Sequence, residues 1–313
     1  MLEVLPITGT IFALMAIGWL AGRFRLFAPQ DFAVLGRFIV TLAIPALIFR
    51  AITSRPLAGL LDPAYLLAFT AAALIVFATG HWISSHLLGS PPAGSAFDAG
   101  GMVWPNSGFF GYPILLLTLP DVAGHALALN MIVENMLLIP LGLFLAERAR
   151  LGQAGLRPVL TRLIRSPLLI AIAVALMVAA SGVTLPAVIT RPVDLLADAS
   201  VAMALIVVGG NLAALGRGAM NARVVVTGLG KLIILPLLVA VLWAVMGMLG
   251  LQVDPALRAA GILMAATPVI SIYAVLAVPY GQGDQAAITM LTQIILSFFT
   301  LTALLWLTGT AGQ

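Results

Sequence analysis

The sequence has no cysteine and very little charge. Without cysteine there is no disulfide, no thiolate metal site and no thiol nucleophile. Only 8% of the residues are charged, where a soluble domain carries about 25%. No stretch is both long enough and polar enough to make a separate soluble domain. The net charge of +4 is too small, and too scattered through apolar sequence, to suggest a nucleic-acid partner. In a membrane protein basic residues mostly set orientation.

What fills the space instead is hydrocarbon. The 313 residues are 62% hydrophobic, with a mean hydropathy of +1.16. At about 20 apolar residues per crossing, the chain has room for roughly ten spans in a lipid bilayer. Apolar runs separated by charged or Pro/Gly-rich breaks place them at 5–22, 33–51, 63–85, 96–118, 123–146, 167–182, 195–214, 222–247, 257–278 and 285–308. The N-terminal stretch lacks a basic leader and a small-x-small cleavage site, so it reads as a retained first span.

The longest polar connection, 147–166, follows the fifth span and divides the chain into five spans and five. Because five is odd, the second half enters the membrane in the opposite sense. This predicts an all-α membrane protein of two inverted five-helix repeats, 1–146 and 167–313, joined by a linker at 147–166. Basic residues support the alternation. Arg23, Arg25, Arg37, Arg148, Arg150, Arg157, Arg162, Arg165, Arg217 and Arg223 fall in loops on one side. Arg50, Arg55, Arg191 and Arg258 fall on the other. The positive-inside rule puts the linker in the cytoplasm and both termini in the periplasm of a cytoplasmic (inner) membrane.

Against this regular background one stretch is anomalous. Gly100–Pro113, GGMVWPNSGFFGYP, carries two prolines, four glycines, an asparagine and a serine inside the fourth span. Pro105 has no N–H and clashes with the carbonyl four residues back. A helix broken at mid-depth exposes backbone groups that lipid cannot satisfy. Such breaks are tolerated where protein or a watery cavity surrounds them. A simple kink is the bland reading. The sharper reading is a substrate site on a discontinuous helix, and the second half supports it: the ninth span is interrupted in the same way at Pro268. The candidate substrate-binding residues are Pro105, Asn106, Ser107 and Gly108 from the first break, with Thr267, Pro268, Ser271 and Tyr273 from the second. A half-helix starting near Asn106 presents free N–H groups and a positive dipole end, which suit a carboxylate.

Ionisable and amide residues inside spans are functional candidates by default. Glu134, with Asn135 beside it, lies about 16 Å into the fifth span. A carboxyl removed from water favours its neutral form, so Glu134 can hold a proton and release it when a cavity opens. It can equally serve as a hydrogen-bonded tie between helices. Lys231 lies about 13 Å from the cytoplasmic end of the eighth span. It can neutralise Glu134, attract an anion, or snorkel back to the cytoplasm. Gln293 occupies in the tenth span a place similar to that of Glu134 in the fifth. Together these four residues are the candidates for coupling. Gly209 and Gly210 suit close helix packing. His81 and His86 fit an interfacial position. There is no zinc spacing, nucleotide-phosphate loop or catalytic triad, so neither a cofactor, a metal site, catalytic residues nor an enzyme is expected.

At these residues the chain resembles the auxin efflux carrier family, which contains plant auxin exporters and bacterial permeases for acids such as malonate. The resemblance is carried by PALIF at 45–49, by PNSGFFGYPI ending at Ile114, by the spacing from Lys231 to Pro236, and by ATPVISIYAVLAVPYG at 266–281. It spans the whole chain. It implies a fold similar to the bile-acid/sodium symporters, with fourth and ninth helices that are broken and cross at mid-membrane. It also implies an organic-anion substrate and a carboxylate-binding role for Asn106. The chain departs from the pattern where Val269, not asparagine, follows Pro268, and the central linker is short. The expected activity is secondary transport of a small carboxylate by alternating access, driven by protons or by membrane potential. Sodium coupling, as in the bile-acid symporters, is the alternative. The expected partners are the substrate anion, a proton or sodium, the bilayer and a second copy of the chain.

Overall fold

The computed structural model describes residues 4–54, 61–151, 167–214 and 220–308; most of the 147–166 linker lies outside them. Among the described residues every regular element is helical. In chain order they are α1 (Val4–Arg23), α2 (Pro29–Thr53), α3 (Pro63–His86), α4 (Pro92–Val103), α5 (Ser107–Thr118) and α6 (Pro120–Arg150). Then come α7 (Pro167–Ser181), α8 (Ala187–Ala214), α9 (Ala222–Met248), α10 (Pro255–Ala265), the short α11 (Tyr273–Ala277) and α12 (Gly283–Thr308). Six of these, α2, α3, α6, α8, α9 and α12, are long and apolar enough to cross a membrane unaided. Large apolar side chains such as Leu67, Leu237, Phe299 and Trp306 point outward, as a lipid-facing surface requires.

Proline sets much of this pattern. Helices α2, α3, α4, α6, α7 and α10 each begin on one, where the missing N–H costs nothing. Asp62, Asn221 and Asp254 cap α3, α9 and α10 by accepting from Tyr65 N (2.8 Å), Val224 N (3.1 Å) and Leu257 N (3.0 Å). Pro192 lies in the second turn of α8, and four more prolines sit deep inside helices: Pro45, Pro113, Pro140 and Pro236. Each of these four is preceded by one π-helical turn, at Ile39–Ala43, Ser107–Gly111, Glu134–Leu138 and Gly230–Ile234. The residue before each proline donates to the carbonyl five positions back, as Ile139 does to Glu134. The wider turn makes room for the ring that an α-turn would drive into a carbonyl.

Helices α1, α2, α7 and α8 pack on one another, and α3 to α6 pack with α9 to α12. In the first group α8 begins at Ala187, earlier than the apolar run from 195 suggests, because its opening turns carry Arg191, Pro192 and Asp194; Asp198 follows one turn after Asp194. These carboxylates face Arg50 on α2, at 3.7 and 2.8 Å. The α1–α8 contact depends on glycine. A Cβ on Gly209 would lie 1.8 Å from the Met15 carbonyl oxygen, and one on Gly18 would lie 2.0 Å from that of Ile206. Backbone meets backbone here, so neither side can yield. Gly209→Ala is therefore expected to lower stability by about 1–3 kcal/mol through overpacking, read as a lower thermal midpoint of the purified protein. An unchanged midpoint would show that α1 does not press on α8 in this way.

Candidate functional site at two joined helix breaks

Between α4 and α5 the chain runs extended through Trp104, Pro105 and Asn106. Between α10 and α11 it does the same around Val269. The two extended pieces lie antiparallel, with Pro105 opposite Val269. Asn106 N donates to the Pro268 carbonyl (2.9 Å) and also faces Thr267 Oγ1 (3.1 Å). Ile270 N donates to the Trp104 carbonyl (3.0 Å). Each break supplies the partners the other lacks. The two prolines have no N–H to strand, which is why they fit here.

The remaining backbone groups are met by side chains from neighbouring helices. Gln293 on α12 accepts from Val269 N (2.8 Å) and donates to the carbonyls of Gly101 (3.0 Å) and Thr227 (3.4 Å). Lys231, fully buried in the π turn of α9, donates to the Ala265 carbonyl at the end of α10. Thr267 Oγ1 donates to Met264 O (2.7 Å). Trp104 is also fully buried, and its indole N–H donates to Leu138 O on α6 (2.8 Å).

A cavity of about 490 Å³ of empty space, counting its open mouth, adjoins the joined breaks. Its polar lining is Asn106, Ser107, Gly108, Glu134, Asn135 and Ser271, and Pro105 forms part of the wall. Its apolar lining includes Ile44, Phe109 and Met131. Asn106 Nδ2 donates to Ser271 Oγ (2.8 Å), Asn135 Nδ2 to Met131 O (3.0 Å), and the Ser107 hydroxyl to the Glu134 carboxyl. The first helical donors of α5 are Phe110 and Gly111, both bonded to Asn106 O. The N–H groups of Ser107, Gly108 and Phe109 therefore have no partner within the helix, and all three residues line the cavity. Gly108 is what lets this helix end approach α2, since a Cβ there would lie 2.8 Å from Ile44 Cδ1.

The sequence candidates thus separate into two sets. Pro105, Asn106, Ser107, Gly108, Glu134, Asn135 and Ser271 line the cavity. Thr267, Pro268, Lys231 and Gln293 stand behind it, holding the breaks together. Tyr273 stands apart, buried with its hydroxyl on Phe97 O (2.7 Å). Two features escaped the sequence reading. Trp104 joins both breaks to α6. Asp98, buried in α4, takes both arms of the Arg223 fork (2.8 and 3.0 Å) and the Ser90 hydroxyl (2.8 Å), while Arg223 also reaches Gln282 (3.0 Å). A lone acid in an apolar stretch was the available signal for Asp98.

A chain of apolar helices whose two interrupted members join beside a polar cavity has the architecture of a membrane transport protein. The family model described as membrane transport protein matches residues 7–307, and the chain belongs to this family, that of the auxin efflux carriers. It is a multi-pass membrane protein. Among curated proteins it is similar to one from Rhizobium meliloti (strain 1021) named "Putative malonate transporter", at 26% identity over 311 residues, covering 97% of this chain and 94% of that one.

Gln293 carries the prediction for this site. Gln293→Ala strands three buried backbone groups, so a loss of stability of about 1–3 kcal/mol is expected in thermal or denaturant unfolding. Gln293→Met fills the same space without the hydrogen bonds and should lose about as much, which separates the lost hydrogen bonds from a cavity. Equal stability of wild type and Gln293→Ala would mean that water or another group holds the second break.

Proposed function

We propose that this protein is a secondary transporter that moves a small carboxylate across the cytoplasmic membrane by alternating access, with malonate and related acids as the first candidates. The observation that carries the reading is the cavity at the joined breaks, where three free N–H groups, Asn106 and Ser271 meet beside a buried carboxyl. The name of the Rhizobium relative supports the substrate class. In this reading the chain makes ten crossings in two inverted five-helix repeats, 1–146 and 167–313. The pairs α4–α5 and α10–α11 serve as the fourth and ninth crossings. Both termini face the periplasm and the 147–166 linker faces the cytoplasm.

With that orientation the cavity opens toward the cytoplasm. Its outer wall includes Ile139, beyond Glu134 on α6, and Leu168, at the start of α7. On the other side of the cavity Arg50 pairs with Asp198. Substrate carboxylate binds at the start of α5, where the Ser107, Gly108 and Phe109 N–H groups and the helix dipole favour negative charge. Asn106 and Ser271 add side-chain donors, while Pro105, Thr267 and Pro268 fix the backbone that presents them. Tyr273 anchors the second break to α4.

Glu134 is the proposed coupling group, with Asn135 beside it and Lys231 and Gln293 behind. Its carboxyl and the incoming anion share one donor, the Ser107 hydroxyl. A charged Glu134 repels the anion and accepts from that hydroxyl; a protonated one carries no charge and can donate its own O–H to Ser107 Oγ, which frees the hydroxyl hydrogen for the anion. Proton and anion therefore favour each other's binding and travel together.

The test is flux of labelled malonate in proteoliposomes, with pH and sodium gradients imposed separately. A pH gradient should drive accumulation, and Glu134→Gln should abolish that drive while retaining malonate exchange. Accumulation driven by sodium alone and indifferent to Glu134→Gln would overturn the coupling. Flux of a neutral or cationic solute with none of any carboxylate would overturn the substrate class.

A further inference from the structure

The resemblance to sodium symporters raises the question whether the joined breaks could hold a sodium ion. In transporters with discontinuous helices, sodium is held by unwound carbonyls and by the C-terminal ends of half-helices. The corresponding place here is the end of α10, where two carbonyl oxygens already have side-chain donors. Ala265 O accepts from Lys231, and Met264 O accepts from Thr267 Oγ1. The carbonyls of Gly101 and Thr227 accept from Gln293. The Lys231 amine already sits on Ala265 O, so a sodium ion does not fit there as the site stands.

Lys231 has no exposed surface. Burying an ammonium costs several kcal/mol unless carbonyls or an opposite charge meet it, and here the Ala265 carbonyl does. The end of α10 also carries the negative end of a helix dipole. One helical turn before Lys231, the buried Thr227 Oγ1 has no hydrogen-bond partner among the described residues.

We infer that Lys231 is a tethered cation: its ammonium occupies, at the C-terminal end of α10, the place a coupling metal ion would take, and so makes the carrier independent of sodium. The reaction loses an ion that must bind and leave in every cycle, and the second break keeps its neutralising charge in all states. This rests on the transporter reading for its consequence, but not for its test. Removing the side chain while leaving its space should expose Ala265 O and Thr227 Oγ1 to a free cation.

The experiment compares the full-length wild type with Lys231→Ala and Lys231→Ser, which leave a space, and with Lys231→Met, which fills it. Thermal midpoints are read in choline, sodium and methylammonium chloride at equal ionic strength, and malonate binding is read in the same salts. The wild type should show the same midpoint in all three. Lys231→Ala and Lys231→Ser should be less stable in choline and recover in sodium or methylammonium, regaining malonate affinity with it. Lys231→Met should not respond. A wild type stabilised by sodium over choline would overturn the inference. So would Lys231→Ala and Lys231→Ser proteins, folded or not, that neither small cation rescues. Cation rescue of stability in a protein that binds no carboxylate would leave the tethered cation standing and remove the proposed substrate.

Discussion

A helix interrupted inside an apolar protein must find hydrogen-bond partners for its freed backbone, and this requirement governs the whole structure. Lipid offers none, and each buried unsatisfied group costs about 1–3 kcal/mol. The solution is mutual. The first break gives its Asn106 N–H to the second, the second returns its Ile270 N–H to the first, and Gln293, Lys231 and Thr267 meet the groups left over. Helices α3, α6, α9 and α12 are held in place partly by what they contribute to this junction or pack against it. The cavity exists because the junction leaves the first N–H groups of α5 unused.

The π turns tie the polar residues to the same logic. Ser107 and Glu134 open two of them, and Lys231 is the second residue of a third. In each case a proline six residues beyond the start of the turn forces the widening. A π turn displaces side chains from the regular helical stripe and weakens local packing, and such turns recur at functional sites. The prolines at 113, 140 and 236 thus position Ser107 and Glu134 at the cavity and Lys231 at the end of α10.

Much of this was legible in the sequence because proline and glycine act locally. Pro105 and Pro268 mark the breaks wherever they stand, since neither can donate, and Asn106 follows from its place after the first. Hydropathy finds apolar runs well and helix ends poorly. The start of α8 at Ala187 was hidden by Arg191, Pro192 and Asp194, and the partner of Asp194 and Asp198, Arg50, lies more than a hundred residues away. Long-range pairing also decided the roles of two deep polar residues. Gln293 looked like a counterpart of Glu134 but ties three backbone groups. Lys231 had snorkelling open to it, yet its amine turns inward to Ala265. Nothing local distinguishes these outcomes, because they depend on where α10 and α4 end in space.

In the proposed transport cycle the joined breaks bind the acid through Asn106 and the start of α5. The most direct test of that binding is calorimetric affinity of the purified protein for malonate, wild type against Asn106→Ala, with thermal midpoints recorded for both. Binding weakened by about 1–3 kcal/mol, roughly fivefold to 150-fold, is expected in a variant that remains folded. Wild-type affinity in a folded Asn106→Ala protein would contradict it and leave the asparagine only its hydrogen bond to Ser271.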